Sequence, residues 1–344
     1  MLLGPSDKAG AKASVAIAPA AHQLFEVVRD HYGARLALVF GNEAREGLCP
    51  YYRAGRCFHC DVGAGEGGAF DGEANAARLA FFEARYAAIW PGLVHLVLYN
   101  SGSTLNIQEL SSVSLERIIA FAARLPEVRE VSLDSREPYI VARTLDTLAQ
   151  GLRPDQRARP IIGLETADDH RREILLSKRM PRSAVERAFA AVGEANARHG
   201  QGRFGVDVNV VIAGPGTEVG CDVSAAEDAA ATARYVYELG VRHGVAVDLN
   251  AHPYYLSSRS RERFAGHPRC SLSAAVAGVR ALVAERDAAP RVCRGGIYVG
   301  WEDEGFDTER ESRADLLSRA GEAFERFNQT LDPSALDGLQ ASQT

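Results

Sequence analysis

The sequence predicts an α/β fold, a partial barrel of parallel strands with helices on its outside. Apolar runs rich in β-formers occur six times, and stretches with apolar residues at three- and four-residue spacing alternate with them. No internal repeat or low-complexity linker divides the 344 residues. Strand alternating with helix means parallel strands joined by crossover helices. Six units fall short of a closed eight-fold barrel, so the predicted architecture is a partial (β/α)6, TIM-like barrel.

Residues 1–33 read as a leader and a helix, the helical pattern covering 19–32. The barrel is expected over 34–305. Its strands are "ARLALVF" (34–40), "HLVLYN" (95–100), "REVSLDS" (129–135), "RPIIGLET" (159–166), "FGVDVNVVIAG" (204–214) and "VAVDLNAH" (245–252), and "GGIYVGW" (295–301) adds an edge strand. Amphipathic stretches at 73–89, 114–124, 183–198, 223–241 and 271–287 supply the helices. Ser183 and Ser224 stand as N-caps, the second with Glu227 three residues on, as a capping box requires. Gly200 and Gly244 follow helix ends. A C-terminal helix over 306–331 covers the barrel, and the polar tail 332–344 is expected to be disordered.

The chain is 46% hydrophobic and 24% charged, an ordinary globular composition. No apolar run approaches the roughly 18 residues of a membrane helix. The opening "MLLGPSDKAGAKASVAIAPAA" carries Asp and Lys early and lacks an apolar core, so no secretory signal is expected. Six cysteines without such a signal fit a reducing cytoplasm better than a disulfide scaffold. A net charge of −6 gives no basic footprint for nucleic acid. Of 39 basic residues only Lys8, Lys12 and Lys178 are lysines, which leaves Lys178 alone in the body of the protein.

The stretch "CPYYRAGRCFHC" places Cys49, Cys57 and Cys60 in the loop after the first strand. In parallel α/β folds that loop opens on the ligand-binding face. A closed zinc site wants four ligands, and the obvious fourth is His59, awkwardly beside Cys60. Three thiolates on an iron–sulfur cluster instead leave one iron open for chemistry. The cluster is the preferred reading over zinc or unliganded buried thiols.

With Phe58 inside the final pair, the Cys-x7-Cys-x2-Cys pattern resembles a variant of the radical S-adenosylmethionine (SAM) signature. Its long first spacing is similar to the Elongator-catalytic-subunit-like branch, including the radical SAM protein of archaeosine biosynthesis. "LYNSGSTLN" (98–106), "DSREPYI" (134–140) and "IGLETADD" (162–169) lie at strand ends where that branch has similar motifs, and the resemblance covers residues 35–255. It implies a radical SAM barrel holding a 4Fe-4S cluster on Cys49, Cys57 and Cys60. The open iron would chelate SAM, whose reductive cleavage gives methionine and a 5′-deoxyadenosyl radical that abstracts hydrogen.

The resemblance also implies SAM contacts. Ser101, Gly102 and Ser103 stand where the superfamily has a glycine-rich amine contact; on physical grounds a plain tight turn serves equally. Asp134 ends the third strand where relatives have Glu. Glu165 would meet a ribose hydroxyl or the amine, and Asn209 the ribose, its bland alternative being an amide satisfied by backbone. Lys178 would meet the SAM carboxylate, its alternative being a solvated surface lysine.

Other signals point less far. "GAGEGG" (63–68) matches G-x-G-x-x-G but follows no strand, and reads as a flexible loop. Cys221, Cys270 and Cys293 show no ligand spacing and read as small buried hydrophobes. "SSRSRERF" (257–264) reads as a solvated loop that a phosphate-bearing substrate could use. His252 and Tyr254 are substrate-contact candidates, with loop packing as the alternative.

The expected function is therefore a cytoplasmic radical SAM enzyme acting on a small, nucleotide- or sugar-linked metabolite in specialised biosynthesis. An electron donor such as flavodoxin or ferredoxin is the implied partner, with no membrane and no nucleic acid. The second reading is a tRNA-modifying enzyme, and a third a zinc-stabilised binding protein.

Overall fold

The computed structural model describes residues 25–61, 70–217, 221, 223–264, 266–267, 270–300 and 314–339. Its elements run β1 (Val28–Asp30), β2 (Gly33–Val39), α1 (Pro50–Arg53), α2 (Gly72–Arg85), β3 (His95–Tyr99), α3 (Ser112–Arg124), β4 (Glu130–Asp134), α4 (Ala142–Gly151) and β5 (Arg157–Glu165). They continue α5 (Arg182–His199), β6 (Gly205–Ile212), α6 (Ala225–His243), β7 (Ala246–Pro253), α7 (Ser258–Arg263), α8 (Leu272–Ala288), β8 (Arg294–Val299) and α9 (Ala314–Thr330). One sheet holds the strands in chain order, β1 antiparallel to β2 and every later pair parallel.

The sheet curls until its ends nearly meet. The Arg35 guanidinium of β2 lies 3.9 Å from the ring centre of Tyr298 on β8. α9 packs against both β1 and β8 across the remaining gap. There Asn328 accepts from the Val299 N–H at 2.7 Å and donates to the Val299 carbonyl at 3.1 Å, so an amide side chain stands in for the next strand. The fold is thus a partial parallel α/β barrel, with seven parallel strands where six and an edge strand were expected.

Alternate residues explain which side faces where. Leu36, Leu38, Leu96, Leu98, Val131, Leu133, Ile162, Leu164, Val206, Val208, Val247 and Leu249 are buried under the helices in one core. The other face turns inward and is unusually polar. At the amino end of the barrel Arg159 pairs with Glu130 at 2.6 Å, with Asp248 at 3.2 Å and with Asp207 at 3.5 Å. Beside it Asp30 meets His95 at 2.6 Å, and Ser132 bridges His95 and Asp207. This ionic floor closes the barrel at its base.

Three expectations need correction. The described part of 19–32 is no helix: the Asp30 carboxylate accepts from the Tyr32 and Gly33 amides, turning the chain into a β1–β2 hairpin, and residues 19–24 lie outside the described residues. The tail is ordered through Leu339, because Leu336 and Leu339 are buried in a 3₁₀ turn, Pro333–Leu339, against α8 and α9. The N-cap of α5 is Pro181, not Ser183, whereas Ser224 and Glu227 form the expected capping box of α6. No helix among the described residues is long and apolar enough to cross a membrane.

Candidate active site

At the carboxyl end the barrel is open. One inward position in that half of each strand from β3 to β8 stays partly accessible between buried neighbours: Tyr99, Asp134, Gly163, Asn209, His252 and Tyr298. These positions line the carboxyl ends of the strands, the face on which parallel α/β barrels bind ligands. Backbone strain gathers around it. Among the described residues, non-glycine positions with positive φ include Cys57 (54°), Ser101 (57°), Glu165 (68°), Ser177 (53°), Arg179 (49°) and Ala213 (59°), all in segments beyond strand ends or at one. Such strain persists only where surrounding structure over-determines it, and it concentrates at functional sites.

The cysteine segment is built to be held rigid. Cys49 caps α1, whose first residue is Pro50, well suited to that position. The amides of Cys57 and Phe58 donate to the carbonyls of Ser177 and Leu176, and the Cys60 amide closes a turn on the Cys57 carbonyl at 3.0 Å. From the other side Ser257 and Ser260 donate to the Phe58 carbonyl. Arg259 donates to the carbonyls of Tyr52 and Arg56 and stacks on the Tyr52 ring at 3.5 Å. The stretch 257–264, expected as a solvated loop, is therefore largely helix α7, and it buttresses the cysteines. Burial, with help from the Glu109 carboxylate, pushes the Cys49 thiol up to about 11.

The turn after β3 hangs on a residue that sequence reading passed over. Glu109, fully buried, accepts from Asn106 at 2.7 Å, Asn42 at 3.2 Å and the Ser103 amide at 3.3 Å. Gly102 lies so close that a Cβ there would sit 2.0 Å from Glu109 Oε2 and 2.6 Å from Asn42 Nδ2, so any larger residue would displace this hydrogen-bonded pair. Ser101 and Ser103 are buried on either side.

Glu165 and Lys178, assigned separately from the sequence, meet. Lys178 Nζ lies 2.6 Å from Glu165 Oε1, and His59 Nε2 lies 3.4 Å from the same oxygen. The carboxylate reaches them because a bulge between Gly163 and Glu165 re-aims it. Gly163 leaves the room: a Cβ would come 2.8 Å from Glu165 Oε1 and 3.0 Å from Lys178 Nζ. A π-helical turn at Arg171–Leu175 sets the following segment, with the Lys178 amide on the Arg172 carbonyl. Lys178 is only 5% exposed, so it is no solvated surface lysine. Burial raises the Glu165 carboxyl, but the charges and hydrogen bonds of Lys178 and His59 together outweigh it and hold it well below the usual range.

Asp134 opens on the same cavity. Burial pushes its carboxyl up against the pull of Lys178, and with Glu165 and Glu109 nearby it reaches about 7. Asn209 accepts from the Asn250 amide at 3.2 Å, a side-chain partner rather than the backbone. His252 lines the mouth beside Gly300. Tyr254 does not: it is 2% exposed, donates to Ser260, and packs with Leu176 and Val211. Cys270 and Cys293 are core residues as expected, but Cys221 is exposed. The motif at 63–68 lies outside the described residues.

The cysteine segment offers three thiols, soft donors that give up their protons on binding a metal, the donor chemistry that an iron–sulfur cluster or zinc takes. Among the described residues no group of three His, Cys, Asp or Glu is poised around a single metal ion.

The chain matches no protein-family model. No curated protein matches it either. Among solved structures it is similar to Streptococcus suis SuiB (10% identity, TM-score 0.49, 81% of this chain and 51% of that one) and to SuiB bound to S-adenosylmethionine (10%, 0.49, 81% and 55%). It is also similar to an N-terminally deleted Elp3 of the archaeon Methanocaldococcus infernus (10%, 0.40, 77% and 55%). The chain thus spans about half the length of these structures.

Proposed function

We propose that the protein is a radical SAM enzyme acting on a small metabolite. The observation that supports this reading is a cysteine segment pinned beside a buried Glu165–Lys178 pair, with the Cys57 and Phe58 amides on the carbonyls of Ser177 and Leu176 and His59 reaching the Glu165 carboxylate. Cys49, Cys57 and Cys60 would hold a 4Fe-4S cluster. Such a cluster, with one iron free of protein ligands, supplies an electron to the sulfonium of SAM and so a carbon radical that takes hydrogen from a substrate.

The protein's own groups suit the amino-acid head of SAM, which carries one charge of each sign. Lys178 offers its ammonium to the carboxylate, and Glu165 offers its carboxylate to the amine. Without ligand the two neutralise each other; with ligand each exchanges one ion pair for another, so neither charge is left buried alone. The carbonyls of the Ser101–Gly102–Ser103 turn add acceptors, and its shape is set by Glu109. Asp134 and Asn209 line the cavity toward the ribose. The ionic floor keeps water from crossing the barrel beneath the reacting atoms. His252, at the mouth, would face the substrate, and the partner required is a one-electron donor.

Anaerobic reconstitution tests this directly. About four irons per chain are expected, with 5′-deoxyadenosine released under dithionite. Cys49→Ala, Cys57→Ala and Cys60→Ala should lose the cluster while Cys221→Ala keeps it. Stoichiometric zinc without iron uptake would overturn the proposal. Mass spectrometry of products from candidate metabolites would identify the substrate.

A further inference from the structure

Arg136 is the side chain through which the three walls of the site touch. It follows β4, and its own amide donates to Ser103 Oγ in the turn after β3. Its guanidinium lies 3.6 Å from the ring centre of Tyr51, in the cysteine segment. Nη2 donates to the carbonyls of Lys178 at 2.6 Å and Arg179 at 3.2 Å, and Nε faces the buried Glu137 carboxylate at 3.6 Å. That leaves Nη1, which is directed at Cys57 Sγ at 3.4 Å. The side chain is 11% exposed.

We propose that Arg136 is a positioning residue that holds the Cys57 sulfur and eases the reduction of a cluster bound there. The inference rests on the function proposed above. The guanidinium cannot swing away easily, because its other nitrogens and its flat face are already engaged by three separate segments. Planar, always-charged arginine suits such a crowded, stacked place in a way that lysine does not. A one-electron reduction from an external donor adds negative charge to the cluster and breaks no bond at Arg136. A fixed cation and an N–H donor beside a ligating sulfur stabilise the more negative, reduced form. The potential is thereby raised.

Arg259 provides the internal control. It grips the same cysteine segment through two carbonyls and a ring, and its hydrogen bonds among the described residues go to carbonyls and not to a thiol. The experiment reconstitutes the parent, Arg136→Gln, Arg136→Lys and Arg259→Gln with iron and sulfide. Iron content is measured, and each midpoint potential is titrated with poised dyes under electron paramagnetic resonance. Arg136→Gln should hold iron at the parent level and be at least tenfold harder to reduce, a shift of about 59 mV to more negative potential for one electron. Arg136→Lys should shift less, and Arg259→Gln should not shift. A parent-like midpoint in Arg136→Gln, or an equal shift in Arg259→Gln, overturns the assignment. If Arg136→Gln folds but cannot hold iron, Arg136→Lys decides: a midpoint below the parent's supports the role and a parent-like one overturns it. If the parent itself takes up no iron, it is the proposed function that fails, not the reading of Arg136.

Discussion

Lys178 and Glu165 sit together where water scarcely reaches, so each depends on the other. Removing one partner of a buried pair leaves a lone charge and costs about 3–5 kcal/mol, whereas replacing both with neutral groups of similar size is far cheaper. Lys178→Met should therefore lower the urea midpoint strongly, and Lys178→Met with Glu165→Gln should recover most of the loss. Both variants should bind SAM at least tenfold more weakly in equilibrium dialysis, because each lacks the ammonium that would meet its carboxylate. If the double variant recovers stability and binds SAM like the parent, the pair is purely structural. Sequence reading selected both residues, one at a strand end and one as a lone lysine. It missed Glu109, Arg136 and Asn250, whose importance comes from burial. Nothing in "SREP" or "NIQEL" marks a charged residue as interior until the fold surrounds it.

Most of the barrel was legible as elements because parallel strands covered on both sides tend to carry continuous apolar runs that stand out against amphipathic helices. The short helix α4 was passed over although Leu145 and Leu148 sit at helical spacing, because its apolar stripe is short, with two buried side chains in ten residues. β1 was also missed: its three residues become a strand only by pairing with β2. The closure by α9 belongs to this scale too. Asn328 satisfies both backbone groups of Val299 at an otherwise open sheet edge, and an unpartnered buried group costs about 1–3 kcal/mol. Asn328→Leu should lower unfolding stability by at least that amount and speed hydrogen exchange at the Val299 amide. Thr330→Ala, two residues on and exposed, should leave both unchanged.

At the scale of the whole molecule, charge is sorted inside the barrel while the chain as a whole is acidic. Burial would raise the Asp30 carboxyl, but His95, by charge and hydrogen bond, and Arg35 outweigh it and bring it from 3.8 to about 2. A carboxyl held lower in the folded state stabilises the fold above its unfolded value and stops doing so as pH falls through the folded one. Stability on the order of 2 kcal/mol should thus disappear between about pH 4 and pH 2. Urea titrations at stepped pH should show it in the parent, and Asp30→Asn should flatten that part of the profile. An unchanged acid limb in Asp30→Asn would show that the floor does not act through this pair. The net charge of −6 leads further to the expectation of no submicromolar binding to bulk tRNA at physiological salt. Tight binding with a steep salt slope would point the same site at a nucleic-acid substrate.

The sequence by itself determined the order of the seven parallel strands and of the longer helices, the placing of three thiols beyond the first barrel strand, and the candidates Glu165 and Lys178. Periodicity, cysteine spacing and an odd lysine are all local properties, readable along the chain. Only the tertiary structure decided that Lys178 is buried against Glu165, that Tyr254 packs behind the cysteines and away from the mouth, and that arginines of α7 and β4's trailing loop grip the cysteine segment. These facts depend on which distant segments the curling sheet brings together. A charged side chain carries no sign of its surroundings until the barrel has closed around it.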